Sequence, residues 1–297
     1  MIIKTGLIPR IAVSIGEIDI YWYAILIVLG MILGIITCKL KSGKFGIKFD
    51  DILDLCLFML PISIIFARIY YVIFSLDYFL DAPVQILNIR DGGLAIYGGI
   101  IGAIATIIVF CYIKKIKTLD LLDYIVPSLA LGQAIGRWGN YINIEAYGTE
   151  TTLPIKMEVI ENGITKFVHP TFLYESIITF ILFIVLIVIS SKRKFSGEVT
   201  YLYIIIYSFA RIIIENLRTD SLMLFNFKIS LILSIILFVV FSFIFVFNVY
   251  KKEKQIIKVE KCRKRSNEIW LKRNKYQPFL LTDDKKYVII LVYKREK

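Results

Sequence analysis

A chain of 297 residues could hold two average soluble domains, but a composition that is 58% hydrophobic, with a mean hydropathy of +0.72, excludes a soluble protein. The formal charge of +12 is concentrated at one end, since residues 251–297 hold 16 Lys and Arg against 6 Asp and Glu. That segment has a net charge of +10, which leaves +2 for the first 250 residues. We therefore divide the chain into a membrane-embedded domain, residues 1–250, and a basic cytoplasmic tail, residues 251–297.

Seven apolar segments, each about 20 residues long, predict transmembrane helices, because that length crosses the hydrocarbon core of a bilayer. They are Ile18–Leu40, Ile52–Phe74, Leu94–Ile113, Leu119–Gly136, Phe172–Ser191, Val199–Asn216 and Ile229–Tyr250. Short basic loops ("KLKSGKFGIK", "KKIK", "KRK" and "YKKEK") follow the first, third, fifth and seventh segments, and the positive-inside rule puts such loops in the cytoplasm. The predicted fold class is an all-α polytopic membrane protein with about seven transmembrane helices, an outside N-terminus and a cytoplasmic C-terminus.

The longer loops, which are poor in Lys and Arg, are predicted to form a small extracytoplasmic cap over a site that opens outward. They are Ser75–Gly93, Arg137–Thr171 and Leu217–Lys228. The second contains "VIENGITKFVHP", in which Asn162-Gly163 predicts the turn of a β-hairpin.

The tail after Tyr250 begins charged and helix-like and ends in "KYVIILVY", which is typical of a strand. Its basic charge suits a cytoplasmic segment near anionic lipid better than a nucleic-acid site, so we expect no nucleic-acid partner. The four cysteines form no CxxC pair, and there is one histidine. We therefore expect no metal site, no disulfide framework and no cofactor.

Several ionisable side chains lie within or at the ends of predicted spans, where they mark either a functional site or a structural pair. They are Arg68, Asp123, Arg137, Glu175, Arg211 and Glu215. In the sixth span, Ser208, Arg211, Glu215 and Arg218 follow a helical spacing that places them on one face. Arg211 and Glu215, four residues apart, can form an ion pair. The pair could hold two helices together, or the face could line a polar cavity, which the additional Arg218 favours.

The fourth span ends in a second polar group, with Gln133, Arg137 and Asn140 on one helical face. An arginine near the membrane surface can extend its side chain to the headgroups, but this does not explain the neighbouring Asn143 and Glu145. Glycines in the same stretch allow close helix packing or a break in the helix. We interpret the two amides and the carboxylate as a hydrogen-bonding shell around Arg137.

Arg137 and Arg211, at similar depth on different helices, suit a phosphate group, because guanidinium groups bind phosphate through paired hydrogen bonds and keep their charge. In a membrane the abundant phosphate belongs to phospholipid headgroups. These residues predict a protein that handles phospholipids near the outer leaflet.

Weaker features surround the start of the third span. Gly98-Gly99 could let a lipid approach or could simply allow close helix packing, and Tyr97 could be an interfacial aromatic residue. The chain contains neither GxSxG nor HExxH, which argues against a membrane serine protease or metalloprotease.

The stretch "GRWGNYINIEAYG" (Gly136–Gly148) closely resembles the signature of the prolipoprotein diacylglyceryl transferases, bacterial inner-membrane enzymes. "IYWYA", "DGGLAIYGGIIGA", "HPTFLYES" and "RIIIENLRTD" resemble other motifs of that family and occur in its order. The resemblance extends from about Ile11 to Tyr250. It implies seven spans with an outside N-terminus, and no cofactor.

The resemblance also implies a reaction, in which phosphatidylglycerol gives its diacylglyceryl group to the thiol of a lipobox cysteine in a prolipoprotein, and glycerol phosphate leaves. Arg137 would bind the donor phosphate, Arg211 would be the second essential arginine, and Glu215 would orient Arg211. Further motif positions are expected to bind the donor or shape its site. These are Tyr23, Gly98, Gly99, Asp123, Asn140, Glu145 and Gly148.

One position departs from the family pattern, because many members have a histidine, a candidate general base, where this chain has Tyr97. A phenol is a poor base at neutral pH, since its usual pKa is about 10. We expect Tyr97 to position the donor, and the thiol to lose its proton elsewhere.

Two other classes of protein share buried arginines. A lipid or anion transporter would exchange substrate without chemistry, although the chain shows no internal repeat, and a scaffold would use the polar residues only to join helices. The enzyme is expected to act as a monomer.

Overall fold

The structure, a computed structural model, describes residues 1–16, 18–89, 92–220, 223–224 and 227–273. It is mostly helical. The helices are α1 (Trp22–Leu40), α2 (Phe49–Ile73), α3 (Leu76–Asp81), α4 (Ile96–Lys114), α5 (Thr118–Asn143), α6 (Thr171–Ser190), α7 (Glu198–Leu217) and α8 (Ile229–Arg273).

Five helices are long and apolar enough to cross a membrane: α1, α2, α4, α6 and the apolar part of α8. Helices α5 and α7 are long as well, but each carries several charged side chains, which lower its mean hydropathy. A helical, polytopic membrane fold is thus confirmed, whereas the number of spans and their direction stay predictions.

Two of the differences from the predicted helix boundaries bear on the site. The first helix begins at Trp22 rather than Ile18, because Ile18–Tyr21 forms a strand of a hairpin. The fourth predicted span ends at Gly136, but α5 continues through Arg137 to Asn143 and stops where Ile144 adopts a left-handed conformation (φ 54°). The segment after Gly136 is therefore helical rather than a loop, and its glycines do not break the helix.

Close helix contacts are made at glycines. Gly30 of α1 faces Gly132 of α5, where an added Cβ would lie 3.3 Å from the Gly132 Cα. Gly98 and Gly102 of α4 lie against α2 in the same manner. The alternative of small-residue packing, stated above for the glycines of this span, is what the structure shows at Gly98.

Strands gather at the end of the helices that carries Arg137. A three-stranded sheet has the order β1 (Ile2–Lys4), β4 (Lys156–Glu161) and β5 (Ile164–Val168), with β1 parallel to β4 and β4 antiparallel to β5. The predicted hairpin at Asn162-Gly163 is confirmed. Two small hairpins complete the strands, β2 (Ile11–Ile15) with β3 (Ile18–Tyr21) and β6 (Met223–Leu224) with β7 (Phe227–Lys228).

An apolar cluster joins this sheet to the helix ends. Met157, Val159 and Val168 pack with Phe172 at the start of α6, and Phe172 stacks on Tyr141 of α5 with ring centroids 4.9 Å apart. The sheet thereby sets the relative position of the ends of α5 and α6.

Arg68, one of the ionisable residues singled out above, has a structural task. Its guanidinium donates hydrogen bonds of 2.5–2.9 Å to five carbonyl oxygens in the segment between α3 and α4. These carbonyls belong to Gln85, Ile86, Asn88, Gly92 and Gly93. One arginine thus holds that segment against α2.

The chain separates into two compact units, residues 1–247 and residues 248–297. Helix α8 runs on to Arg273, which confirms the helix-like start of the tail. The strand predicted for "KYVIILVY" lies outside the described residues. The division into an enzyme domain of 1–250 and a tail of unknown role stays a prediction.

Replacing Gly98 by Ala is expected to destabilise the packing of α4 on α2 by about 1–3 kcal/mol. An added Cβ would lie 2.4 Å from the carbonyl oxygen of Phe66 and 2.5 Å from the Cβ of Tyr70, and neither atom can move freely. Thermal unfolding of the purified protein in detergent measures the effect. Gly136→Ala is the matched control, because its Cβ would meet no atom within 4 Å, and it should be neutral or slightly stabilising. Equal stability of the two variants would contradict the packing argument.

Candidate active site

Glu175 lies at the centre of a buried group of charges. Its Oε1 accepts a 2.5 Å hydrogen bond from Nη2 of Arg137, and its Oε2 accepts a 3.0 Å hydrogen bond from Nη1 of Arg211. The Glu175 side chain is 3% exposed, against 22% for Arg137 and 12% for Arg211. One carboxylate from α6 thus joins an arginine of α5 to an arginine of α7.

Helix α7 supplies three members of this group at intervals of four residues. The hydroxyl of Tyr207 donates to Oε1 of Glu175 at 3.0 Å, and Arg211 donates through Nη2 to the carboxylate of Glu215. The predicted ion pair within α7 is therefore confirmed, and Glu215 is 1% exposed. Residues four apart lie above one another on a helix, which is why a single face presents all three side chains.

A second layer supports this face. Tyr203 stacks on Tyr207 with ring centroids 5.6 Å apart, and its hydroxyl donates to Oε1 of Gln133 at 2.9 Å. Gln133 lies one helical turn before Arg137 on α5. This layer fixes α7 against α5 on the side of the arginines that faces the start of both helices.

The amides after Arg137 form a chain of hydrogen bonds. Nη1 of Arg137 donates to Oδ1 of Asn140 at 3.1 Å, and Nδ2 of Asn140 donates to Oε1 of Glu145 at 2.8 Å. Asn143 reaches the same Glu145 oxygen at 3.4 Å, while its carbonyl accepts from Arg10 at 2.9 Å. The exposed Glu145 and the partly buried Arg137 are thus connected through Asn140, as predicted for a polar shell.

Gly148 lies where the end of α7 meets the segment before α6. Its N–H donates to the carbonyl of His169 at 2.9 Å, and an added Cβ would lie 2.7 Å from the Cβ of His169 and 3.0 Å from the carbonyl oxygen of Leu217. A side chain does not fit here. The position requires glycine for packing, whatever else it contributes.

Tyr23 approaches the same segment from α1. A Cβ on Gly139 would lie 2.2 Å from Cδ2 of the Tyr23 ring, so the ring lies directly on the α5 backbone two residues beyond Arg137. Tyr23 is 36% exposed. The structure therefore brings Tyr23, which the family resemblance alone had marked, to the segment that carries Arg137.

Three further predicted site residues, Tyr97, Gly98 and Gly99, lie on α4, and all three face α2. The ring of Tyr97 lies 6.4 Å from that of Tyr70, Gly98 packs on the α2 backbone, and a Cβ on Gly99 would lie 3.8 Å from Ala67. These contacts neither join Tyr97 to the arginines nor assign it a chemical role.

Asp123, expected from the resemblance to belong to the substrate site, lies 14 residues before Arg137 on α5, about 21 Å along a helix axis. It is fully buried and accepts hydrogen bonds of 2.7–2.8 Å from Arg193, from the N–H groups of Gly197 and Thr200, and from the Thr200 hydroxyl. These are the contacts of a residue that fixes the N-terminus of α7. They place Asp123 away from the arginine group.

From the sequence, Glu175 was evident only as a charge within a span, without a role, and Tyr207 was not recognised as part of the site. A signal for Tyr207 was available, because it precedes Arg211 by four residues. Arg218, predicted to extend the cationic face of this helix, pairs with Asp220 through two contacts of 3.0 Å. Within the part of the chain that the structure describes, no group of three or more His, Cys, Asp and Glu side chains could hold a metal ion.

Two guanidinium groups at the rim of a low-dielectric interior can bind a phosphate and stabilise negative charge that develops on it. The neighbouring amides can orient a polar headgroup. The group has the means for electrostatic catalysis on a phosphate ester.

Comparison with known proteins agrees with this chemistry. A family model described as prolipoprotein diacylglyceryl transferase matches residues 10–247. Similar curated proteins, each named phosphatidylglycerol–prolipoprotein diacylglyceryl transferase, come from Finegoldia magna, Clostridioides difficile and Bacillus cytotoxicus. The protein of Finegoldia magna is 46% identical over 250 residues, which cover 84% of this chain and 98% of the relative. That of Clostridioides difficile is 45% identical over 227 residues, which cover 76% of this chain and 90% of the relative. That of Bacillus cytotoxicus is 43% identical over 249 residues, which cover 80% of this chain and 91% of the relative.

Proposed function

The chain belongs to the prolipoprotein diacylglyceryl transferase family, and we propose that Arg137 and Arg211 hold the donor phosphate while its diacylglyceryl group is transferred. The protein is a transferase of lipoprotein biosynthesis that moves the diacylglyceryl group of phosphatidylglycerol to a prolipoprotein. The observation that supports the arginine assignment is their convergence, from α5 and α7, on one buried carboxylate.

The acceptor in this proposal is the thiol of the lipobox cysteine. Its thiolate attacks the glycerol carbon of the donor, a C–S bond forms, and the C–O bond to the phosphate breaks. The electron pair of that bond leaves with the phosphate oxygen, so glycerol phosphate departs with one more negative charge than the phosphate diester had. The arginines stabilise that charge as it develops. A thiol with a usual pKa of about 8.5 supplies some thiolate at neutral pH, and nearby arginines increase the amount.

The surrounding residues take supporting roles. Glu215 orients Arg211 through their ion pair, and Asn140 and Glu145 set the direction of Arg137 and of the headgroup. Gly148 and Tyr23 shape the walls of the same site. Gly98, Gly99 and Asp123 also match motif positions of the family. A part of Asp123 in donor binding is tested by the KM of the Asp123→Ala variant.

The proposed topology has seven spans in the bacterial cytoplasmic membrane, with the N-terminus and the site outside and the C-terminus inside. It is supported by the basic loops after the first, third, fifth and seventh helices, and by the match in length between the helices and a bilayer. The sheet at the Arg137 end corresponds to the extracytoplasmic cap. The protein works as a monomer, since one chain supplies both arginines.

The reaction is tested with purified protein, phosphatidylglycerol and a lipobox peptide, followed by mass spectrometry of the peptide. The peptide should gain the mass of one diacylglyceryl group. If an active relative gives that increment under the same conditions and this protein does not, the assignment is wrong. Exchange of lipid without a change in peptide mass would support a transporter.

Tyr97→Phe is expected to retain most of the wild-type activity, because the ring, rather than the hydroxyl, positions the donor. The measurement is the initial rate of peptide lipidation over a range of phosphatidylglycerol concentrations. A folded but inactive Tyr97→Phe would show that the hydroxyl takes part in chemistry. Tyr97→Ala, which removes the ring as well, should raise the KM for phosphatidylglycerol.

A further inference from the structure

Both terminal nitrogens of each guanidinium group already donate a hydrogen bond in this site. Arg211 donates through Nη1 to Glu175 and through Nη2 to Glu215, and Arg137 donates through Nη1 to Asn140 and through Nη2 to Glu175. A phosphate that binds an arginine with two parallel hydrogen bonds needs such a pair of nitrogens. A phosphate that approaches Nη1 and Nη2 of either arginine therefore meets the acceptors to which these nitrogens already donate.

The charges of the group also balance. The two arginines contribute two positive charges, and Glu175 and Glu215, whose side chains are 3% and 1% exposed, contribute two negative ones. A buried group with no net charge attracts an anion weakly unless one carboxylate moves away from its partner. Donor binding consequently involves a rearrangement of the ion pairs.

We infer that Glu175 competes with the donor phosphate for the N–H groups of Arg137 and Arg211, so that it positions both arginines and limits how tightly they hold a phosphate. The inference rests on the proposed function. Glu175 is the residue that fits, because its carboxylate alone contacts both arginines among the residues that the structure describes. Its two oxygens hold the guanidinium groups as two oxygens of a phosphate would.

The two oxygens of Glu175 differ in how firmly they are held. Oε1 accepts hydrogen bonds from Arg137 and from Tyr207, whereas Oε2 accepts one from Arg211. A phosphate can therefore take the Nη1 group of Arg211 while Oε1 stays in place. The contact between Glu175 and Arg211 is the one that donor binding releases.

The same competition explains how product leaves. Transfer converts a phosphate diester into a monoester with one more negative charge, which two arginines would bind more tightly than the donor. The return of Glu175 to Arg211 offers the guanidinium its alternative partner and releases glycerol phosphate. Without that partner, the product should remain bound longer.

Glu175→Gln tests the inference, because an amide keeps the shape but loses the charge. The KM for phosphatidylglycerol and the inhibition constant of added glycerol phosphate should both fall by about tenfold, the factor expected when a competing charged hydrogen bond is removed. The kcat should fall as well, since product release slows. A purely structural role would not lower either constant, so unchanged or raised values would overturn the inference.

The matched control is Glu198→Gln, which makes the same change at a buried carboxylate at the other end of α7, where Glu198 accepts a hydrogen bond from the N–H of Lys194 and does not contact either arginine. It should leave the affinity for glycerol phosphate within about twofold of wild type. Equal tightening of glycerol phosphate binding in both variants would show a general effect of charge and overturn the inference.

If Glu175→Gln fails to fold, Glu175→Asp decides, since its shorter side chain keeps the charge but cannot bridge both arginines. It should tighten glycerol phosphate binding, and weaker or equal binding would overturn the inference. An inactive wild-type protein would instead refute the proposed function.

Discussion

Arg137→Ala should reduce the kcat/KM for peptide lipidation by about 1,000-fold. Arg137 carries one of the two positive charges proposed to stabilise the departing phosphate, and losing one such donor typically reduces rates by about 100- to 1,000-fold. The loss of ground-state binding of the donor adds to this effect. The measurement is the rate at which the lipobox peptide gains the diacylglyceryl mass, with substrate concentrations spanning KM.

Arg137→Lys separates charge from geometry. A lysine keeps the positive charge but cannot offer two parallel N–H groups to one phosphate, so it should recover only a small part of the lost activity. Both variants need a check by thermal unfolding, because Glu175 loses one partner. An Arg137→Ala protein that is folded and substantially active would refute the role proposed for this residue.

Asp123→Ala should destabilise the protein by about 3–5 kcal/mol, the usual effect of removing one partner of a buried ion pair. Asp123 is 0% exposed and pairs with Arg193, which is 16% exposed at its side chain, and it also accepts from two backbone N–H groups at the start of α7. The expected result is a large fall in unfolding temperature in detergent. The fraction of the protein that remains folded should have an unchanged KM for phosphatidylglycerol.

Asp120→Ala is the matched control. Asp120 also pairs with Arg193, at 2.7 Å, but its side chain is 17% exposed. Its other hydrogen bond is accepted from the hydroxyl of Ser196 and not from backbone N–H groups at the start of α7. Its loss should have a clearly smaller effect on stability. If Asp123→Ala is stable and raises the KM for phosphatidylglycerol, the donor-binding role implied by family resemblance is correct and the structural role is wrong.

Features that depend on local spacing could be predicted from the sequence. The ion pair of Arg211 with Glu215 follows from their separation of four residues, and the hairpin at Asn162-Gly163 follows from a turn sequence. The approach of Arg137 to the α7 group was expected from the similar depth of the two arginines. These predictions needed no knowledge of how the helices pack.

Features that depend on packing could not be predicted. Nothing in the spacing of Glu175 shows that it faces both arginines, because that depends on the rotation of α6 about its axis. The strand at Ile2–Lys4 pairs with Lys156–Glu161, about 150 residues away, and neither segment alone indicates the other. The continuation of α5 to Asn143 reflects support from the sheet and from Tyr23, which oppose the polar, glycine-rich composition of that stretch.

The arrangement of charges also sets an order for biosynthesis. In the proposed seven-span topology α5 carries Arg137 into the membrane, but its counter-charge, Glu175, lies 38 residues later on α6. During translation the arginine is therefore without that carboxylate until the next helix has been made. An isolated charged helix inserts poorly into lipid, so with this topology we expect α5 and α6 to be inserted as a pair, with α7 following to supply the charges that balance Glu175. The residues proposed for catalysis are thus also those on which we expect stable insertion of the enzyme to depend.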